Sequence, residues 1–265
     1  MNNITIGKYL PLNSPFHKLD PRSKIIALFI MIIAVFVCDS WYLYGAMFLL
    51  EIVVLYLSKL KFSYILKTFK PMIFMMVFLM VINILSVKTG DLWCKFWIIE
   101  IYSDAVLDTL FIVVRLMLMI TLTTILTATT KPVDLTLGLE YLFKPLKVFK
   151  FPYHEVAMML SIALRFIPTI LEETMRIMNA QKSRGVDYEN GKLKEKITAI
   201  LSLIVPLFSA SFQRAYDLAD AMDARGYIPG RERTRYRVLK YNIKDYLLLF
   251  ACLIIMASTI IIRVI

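Results

Sequence analysis

The stretch "YHEVAMMLSIALRFIPTILEETMRIMNAQKSRG", Tyr153–Gly185, places apolar residues at the spacing of an α-helix. Met159, Phe166 and Ile177 belong to this apolar series. Gly185 stands where a glycine commonly ends a helix. The stretch therefore predicts one amphipathic helix of about thirty residues, roughly 45 Å long at 1.5 Å per residue.

A second run, from about Leu193 to Gly226, repeats this design. Each run contains an interior proline, Pro168 or Pro206, which removes a backbone hydrogen bond and is expected to bend the helix. Both runs are too apolar for water, and their charged side chains resist lipid, so we expect the two helices to pack together beneath the membrane. The charged residues that oppose lipid include Arg165, Glu172, Glu173, Arg176, Arg214, Asp217 and Asp220.

The two predicted helices end on matching residues. The first alanine of each match lies four positions before the arginine, so it occupies the same helical face one turn back. A partner could approach the backbone at the alanine and contact the guanidinium one turn later. The simpler alternative is helix capping, in which a cation near the last turn contributes about 0.3–1 kcal/mol. Two copies favour partner binding over capping. The matching pairs are Ala180 with Ala221, Ser183 with Ala224, Arg184 with Arg225, and Gly185 with Gly226.

The rest of the chain is typical of an integral membrane protein. Hydrophobic residues make up 59% of its 265 residues, and the mean hydropathy is +0.68, far above a globular composition. Apolar runs of nearly 20 residues predict membrane-spanning helices. The sequence thus predicts an all-α, polytopic membrane protein with about five transmembrane helices. The predicted spans are Ile25–Val37, Trp41–Leu57, Met72–Val87, Ala105–Ala128 and Tyr246–Ile262.

The lysines and arginines between the spans predict the orientation, because cytoplasmic loops retain positive charge. Nineteen of the 31 lie between Lys131 and Lys244, whereas Lys88, Lys95 and Arg263 are the few outside cations. The N-terminus is therefore expected inside and the C-terminus outside. This gives transmembrane helices in 1–130, a cytoplasmic helical domain in 131–244 and a last span in 245–265. A short amphipathic helix between the prolines at 132 and 145 is expected at the membrane surface.

Several function classes lack their sequence signals. The chain has no G-x-x-x-x-G-K-[ST] phosphate loop, and its two histidines, His17 and His154, give no cluster for a metal ion or a catalytic triad. The cysteines show no metal or redox spacing, although Cys38 and Cys94 could share the outer face. The basic run "RERTRYRVLK" at 231–240 could suggest nucleic-acid binding. It directly precedes a span, however, where attraction to anionic lipid head groups, about 1 kcal/mol per cation, accounts for the charge.

Two further alternatives concern charged residues in or near helices. "EETMR" resembles a signature of intramembrane proteases, but Glu173 and Arg176 are one residue too close for it. Glu172 and Arg176 instead suit an i,i+4 pair on a solvated face. Glu51 and Arg115 lie in predicted spans, where an ionisable group is a functional candidate or pairs within the bundle, and the sequence leaves both roles open.

With these motifs in view, the chain resembles the EcfT family, the transmembrane coupling subunits of energy-coupling factor transporters. The resemblance covers almost the whole sequence and depends on four stretches. They are "HKLDPRSK" at 17–24, "TTKPVDLTLGLEYLFKPLK" at 129–147, "ALRFIPTILEETMRIMNAQKSRG" at 163–185 and "ADAMDARGY" at 219–227. The first Arg-Gly motif reads Ser-Arg-Gly rather than Ala-Arg-Gly, within the family's variable first position.

The resemblance implies a non-catalytic, multi-pass scaffold protein in the plasma membrane of a prokaryote. Its cytoplasmic domain would consist of long amphipathic coupling helices. The two Arg-Gly ends would fit grooves on two ABC ATPases, identical or different, which bind the ATP and magnesium. A membrane subunit would bind the vitamin or metal ion, and this chain would carry no cofactor of its own. The implied partners are thus the two ATPases, the substrate-binding subunit and the lipid bilayer, without nucleic acid.

Overall fold

The computed structural model describes residues 9–86, 92–96, 99–149, 152–188, 192–230 and 239–264. Helices dominate this part of the chain, and its only strands form one short hairpin, so the all-α prediction is confirmed. The helices are α1 Pro21–Val37, α2 Trp41–Ser58, α3 Phe62–Phe69, α4 Ile73–Ser86, α5 Ser103–Thr129, α6 Pro132–Phe143, α7 Tyr153–Ser183, α8 Leu193–Ala224 and α9 Ile243–Val264. The strands are β1 Leu92–Phe96 and β2 Ile99–Tyr102, and 3-10 turns cover Lys70–Met72 and Lys144–Phe149.

The chain divides into two compact units. Among the described residues, one unit contains 9–138 together with 239–264, and the other contains 139–230. The first unit thus holds α1 to α5 and α9, whereas α7 and α8 belong to the second. The boundaries predicted after residues 130 and 244 concern the membrane and the cytoplasm, and they stay predictions.

The first unit is built around α1, which packs along both α9 and α5. Its apolar core consists of side chains that are almost fully buried, and two of them are cysteines with free thiols. The core residues include Met31, Ala34, Val35, Cys38, Tyr44, Met47, Leu118 and Cys252. Because these helices are assigned to the membrane, close packing of such side chains stabilises the unit mainly through van der Waals contacts rather than by removing apolar surface from water.

The start of α1 is fixed by polar contacts from the "LDPRSK" segment. Asp20 caps the helix by accepting a hydrogen bond from the Arg22 N–H at 2.9 Å, the role that short acidic side chains commonly play there. The buried Asp245 carboxylate at the start of α9 accepts from the Asp20 N–H at 2.9 Å and from Ser23 Oγ at 2.7 Å. Lys24 Nζ donates to the Thr129 carbonyl at 3.1 Å. This segment therefore joins the ends of α1, α5 and α9.

Six helices in the described part of the chain are long and apolar enough to cross a membrane. Four of them, α2, the α3–α4 segment Phe62–Ile84, α5 and α9, match predicted spans. The first predicted span lies in α1, which has only 17 residues. The other two are α7 and α8, whose charged side chains are predicted from the sequence to oppose insertion into lipid. That argument does not hold for most of α8, because residues 197–213 contain no charge; the cytoplasmic position of both helices stays a prediction.

The segment between α4 and α5 contains an antiparallel hairpin rather than only a loop. Strands β1 and β2 pair with Phe96 opposite Ile99, and the register shifts between Leu92 and Cys94. The sequence predicts a connection here but no strands. Its aromatic and β-branched residues favour extended structure, and this was the available signal.

Candidate partner-binding helix ends

The C-terminal end of α7 forms a Schellman cap. Arg184 is the cap residue, and the next residue, Gly185, has a φ of 87°. The Val186 N–H donates to the Gln181 carbonyl at 3.1 Å, and the Gly185 N–H donates to the Lys182 carbonyl at 3.0 Å. These two bonds satisfy carbonyls that a helix end otherwise leaves without donors.

The C-terminal end of α8 repeats the same cap. The Tyr227 N–H donates to the Met222 carbonyl at 3.0 Å, and the Gly226 N–H donates to the Asp223 carbonyl at 2.8 Å. The cap residue Arg225 has φ −88° and ψ 7°, against −89° and 7° for Arg184. Both helices therefore end as the sequence predicted, and their ends share one backbone conformation.

Glycine is required at both ends by backbone conformation. Gly226 has a φ of 69°, and Gly185 has a similarly positive value, a region that costs other residues roughly 1–2 kcal/mol. A Cβ atom at either position would meet no other atom within 4 Å. Space is therefore open around both ends, and only the torsion angle selects glycine.

The two arginine side chains are exposed at these ends. The guanidinium groups of Arg184 and Arg225 make no hydrogen bond or ion pair to any residue that the structure describes. The last carbonyls are satisfied by backbone N–H groups instead, so the guanidinium groups are not needed for the caps. Both side chains are consequently available to a partner.

The smaller members of the matching ends are exposed as well. Ala180 and Ala221 each lie one turn before their arginine, and Ala224 lies next to Arg225. The Ser183 hydroxyl donates to the Asn179 carbonyl of its own helix at 3.1 Å. Each end thus presents an exposed small side chain and an exposed guanidinium one helical turn apart, and the docking role of these residues stays a prediction.

α7 and α8 pack against each other, but they bury few of their apolar side chains. The predicted interior prolines, Pro168 and Pro206, lie within continuous helices, and the bend that they imply stays a prediction. Ala157 and Ala199 are the buried residues of this pair of helices. The exposed large apolar side chains include Met159, Leu160, Ile167, Leu171, Ile197, Ile200, Leu201, Val205, Phe208 and Phe212.

The ion pair between these helices differs from the one that the sequence suggested. Glu173 Oε2 lies 2.6 Å from Arg214 Nη2 and joins α7 to α8. The expected i,i+4 pair of Glu172 with Arg176 is absent among the described ion pairs. Sequence spacing within one helix could not reveal a partner 41 residues away.

The two ionisable residues of the predicted spans have different surroundings. Arg115 donates to Tyr44 Oη and to the Cys38 carbonyl, each at 3.1 Å, and lies 3.6 Å from Asp39. It therefore holds the turn between α1 and α2, as the bundle-pairing alternative proposed. Glu51 is buried, and its Oε1 has no hydrogen-bond partner in the described part of the chain.

Comparison with known proteins adds to this geometry. The family described as cobalt transport protein, CbiQ, matches residues 12–236. The chain is 41% identical over 257 residues to the energy-coupling factor transporter transmembrane protein EcfT of Bacillus subtilis, covering 97% of each chain. It is 43% identical over 247 residues to EcfT of Macrococcus caseolyticus, covering 93% of each, and 40% identical over 254 residues to EcfT of Lactococcus lactis subsp. cremoris, covering 96% of each.

Proposed function

Since the chain belongs to the EcfT family of energy-coupling factor transporter transmembrane proteins, we propose that it is the scaffold that joins two cytoplasmic ABC ATPases to a substrate-binding membrane subunit. It is a multi-pass membrane component of a prokaryotic transporter. ATP-driven closure of the ATPases would be transmitted through α7 and α8 to the membrane subunit, which would then release a vitamin or a metal ion.

The repeated helix end is the observation that carries this proposal. Arg184 and Arg225 sit on identical backbone caps, are exposed and are unpaired in the part of the chain that the structure describes. Two equivalent surfaces suit a partner that presents two equivalent grooves, as a dimer of ATPases does. A carboxylate in each groove would pair with the guanidinium in a bidentate geometry.

The exposed apolar faces of α7 and α8 support the second half of the proposal. Leu201, Phe208 and Phe212 are each more than half exposed on α8, and an apolar surface of this kind marks an interaction site or contact with lipid. We assign this surface to the substrate-binding subunit and the surrounding bilayer.

Within this proposal the chain itself is not an enzyme. Its sequence contains no phosphate loop, so ATP and magnesium would be bound by the ATPases. The transported substrate would contact the membrane subunit rather than this chain.

The proposed orientation has the N-terminus and the Arg-Gly ends in the cytoplasm and the C-terminus outside. It is supported by the nineteen lysines and arginines between Lys131 and Lys244. In a variant whose three native cysteines, Cys38, Cys94 and Cys252, are replaced by alanine, a cysteine introduced at Gly90 should react with an impermeant reagent in sealed cells, whereas one at Asn190 should not. Both positions lie outside the described residues. Labelling of Asn190 in sealed cells would refute the orientation.

Purification of the tagged chain from its own membrane tests the proposal as a whole. We expect two ABC ATPase subunits and a small membrane subunit to co-purify and to be identified by mass spectrometry. The isolated chain should neither bind nor hydrolyse ATP, and adding the ATPases should restore turnover. ATP hydrolysis by the isolated chain that survives mutation of any contaminating ATPase would contradict the scaffold role.

A further inference from the structure

The ion pair between α7 and α8 is partly shielded from water. The side chains of Glu173 and Arg214 are 23% and 28% exposed. The Arg214 guanidinium also lies over the Phe166 ring of α7, 5.8 Å from its centroid. Arg214 Nη1 is buried and has no hydrogen-bond partner among the described residues. Glu173 is therefore the compensating charge for this guanidinium, and its loss would leave a shielded cation unpaired.

The pair occupies the same place relative to both partner-binding ends. Arg184 follows Glu173 by eleven residues, and Arg225 follows Arg214 by eleven residues. Eleven residues are three helical turns to within about 20°. Each member of the pair thus lies on nearly the same face as the terminal arginine of its helix, roughly 16 Å before it.

The contacts between α7 and α8 show that the two helices are antiparallel. Gln181 Nε2 lies 3.4 Å from the Ser202 carbonyl, while Glu173, earlier in α7, contacts Arg214, later in α8. The two C-terminal ends therefore lie on opposite sides of the ion pair along the helix axes. Since each end is roughly 16 Å from the pair and the axes are about 10 Å apart, the two ends can be at most about 35 Å from each other.

The prolines lie on the other side of the pair. Pro168 precedes Glu173, and Pro206 precedes Arg214, so the segments from the pair to each end contain no proline. Each end is consequently an unbroken stretch of helix, and movement at a proline reaches the ends only through the segment that the ion pair holds.

From these positions we propose that the ion pair between Glu173 and Arg214, here called the pivot, fixes two properties of the partner-binding ends. These are the distance between the two ends and the direction in which each end faces. They are positioning residues, which act through Arg184 and Arg225. The identity of the partner that the two ends bind rests on the proposed function. The pivot itself depends only on the contacts between α7 and α8.

A distance measurement tests the pivot directly. Spin labels would replace Lys182 and Asp223, which are exposed and each lie two residues before a terminal arginine. The full chain would be studied in lipid nanodiscs by double electron–electron resonance. We expect one narrow distance distribution below about 35 Å. Glu173→Arg or Arg214→Glu should broaden it or shift it by about 5 Å, one helical turn, and the double exchange should restore it.

The second readout is the ATPase recovered with each variant. Each single charge reversal should lower recovery roughly tenfold, and the double exchange should return it, because an interaction between contacting residues is restored. Glu172→Arg is the matched control, since Glu172 is exposed and lies next to Glu173. It should leave both the distance and the recovery unchanged.

Each outcome has a separate meaning. An unchanged distance distribution in both single variants, or a double exchange that restores nothing, would overturn the pivot. A changed distance with full ATPase recovery would overturn its role in positioning the ends. Full recovery with both terminal arginines replaced would instead refute the proposed function and leave the distance result standing.

Discussion

Asp245 provides the sharpest test of how the first unit is held together. Its carboxylate is almost fully buried at the start of α9, with 1% of the residue exposed. It accepts hydrogen bonds from the Asp20 N–H at 2.9 Å, Ser23 Oγ at 2.7 Å and the Asn242 N–H at 2.7 Å. Asp245→Ala removes both carboxylate oxygens and so all three hydrogen bonds, and it leaves the Asp20 N–H buried with no acceptor.

The expected cost follows from these partners. A buried donor without a partner costs about 1–3 kcal/mol. Ser23 keeps the Asp20 carbonyl as an acceptor at 2.7 Å, and the Asn242 N–H is only partly buried. We therefore expect a total loss of about 2–4 kcal/mol, or a fall in Tm on the order of 10 °C.

Thermal unfolding of the purified chain in detergent or nanodiscs measures this loss. Asp245→Asn should fall between Asp245→Ala and the unmodified chain, because its amide keeps one oxygen acceptor. Lys244→Ala is the matched control, since Lys244 is the exposed neighbour and should leave Tm unchanged. An Asp245→Ala variant as stable as the Lys244→Ala control would refute the assigned role of this carboxylate.

Three further predictions concern single positions, with thermal unfolding as the measurement. Gly226→Ala should cost about 1–2 kcal/mol, because its φ of 69° strains any side chain; no loss would contradict the cap geometry. Gly138→Ala adds a Cβ 3.0 Å from Ile25 Cδ1 and 3.4 Å from the Arg22 backbone N; overpacking of about 1–3 kcal/mol should outweigh the roughly 1 kcal/mol that alanine gains over glycine inside a helix, so Tm should fall, and a rise in Tm would contradict the close contact. Burial lowers the pKa of His17 from 6.5, so the folded state favours the neutral ring and should lose stability as pH falls below 6.5. His17→Gln should remove that dependence, and a retained dependence would assign it to another group.

Local signals explain why much of this architecture was predictable. The apolar periodicity of α7 and α8, and the glycines at 185 and 226, are properties of short stretches, and the structure confirms the helices and their ends. The spans of α2, α5 and α9 follow in the same way from continuous apolar runs. Length and composition identify such helices without any knowledge of packing.

Contacts between distant residues were not predictable in this way. Asp20 and Asp245 are 225 residues apart, and Glu173 and Arg214 are 41 residues apart. Their pairing depends on the packing of whole helices, which no local pattern reveals. From the sequence alone, "LDPRSK" is therefore a motif without its partner in α9, and the charges of α7 are predicted to lie on a solvated face.

The central claim is that Arg184 and Arg225 hold two ATPases, and one measurement tests it most directly. Arg184→Ala, Arg225→Ala and the double variant would be expressed with the ATPases, and ATPase recovery and substrate uptake would be measured for each. Each single change should weaken binding by about 2–5 kcal/mol, because the partner's buried carboxylate would be left unpaired. The double variant should lose more than either single variant, while membrane insertion persists. Full ATPase recovery and full uptake by the double variant would contradict the account.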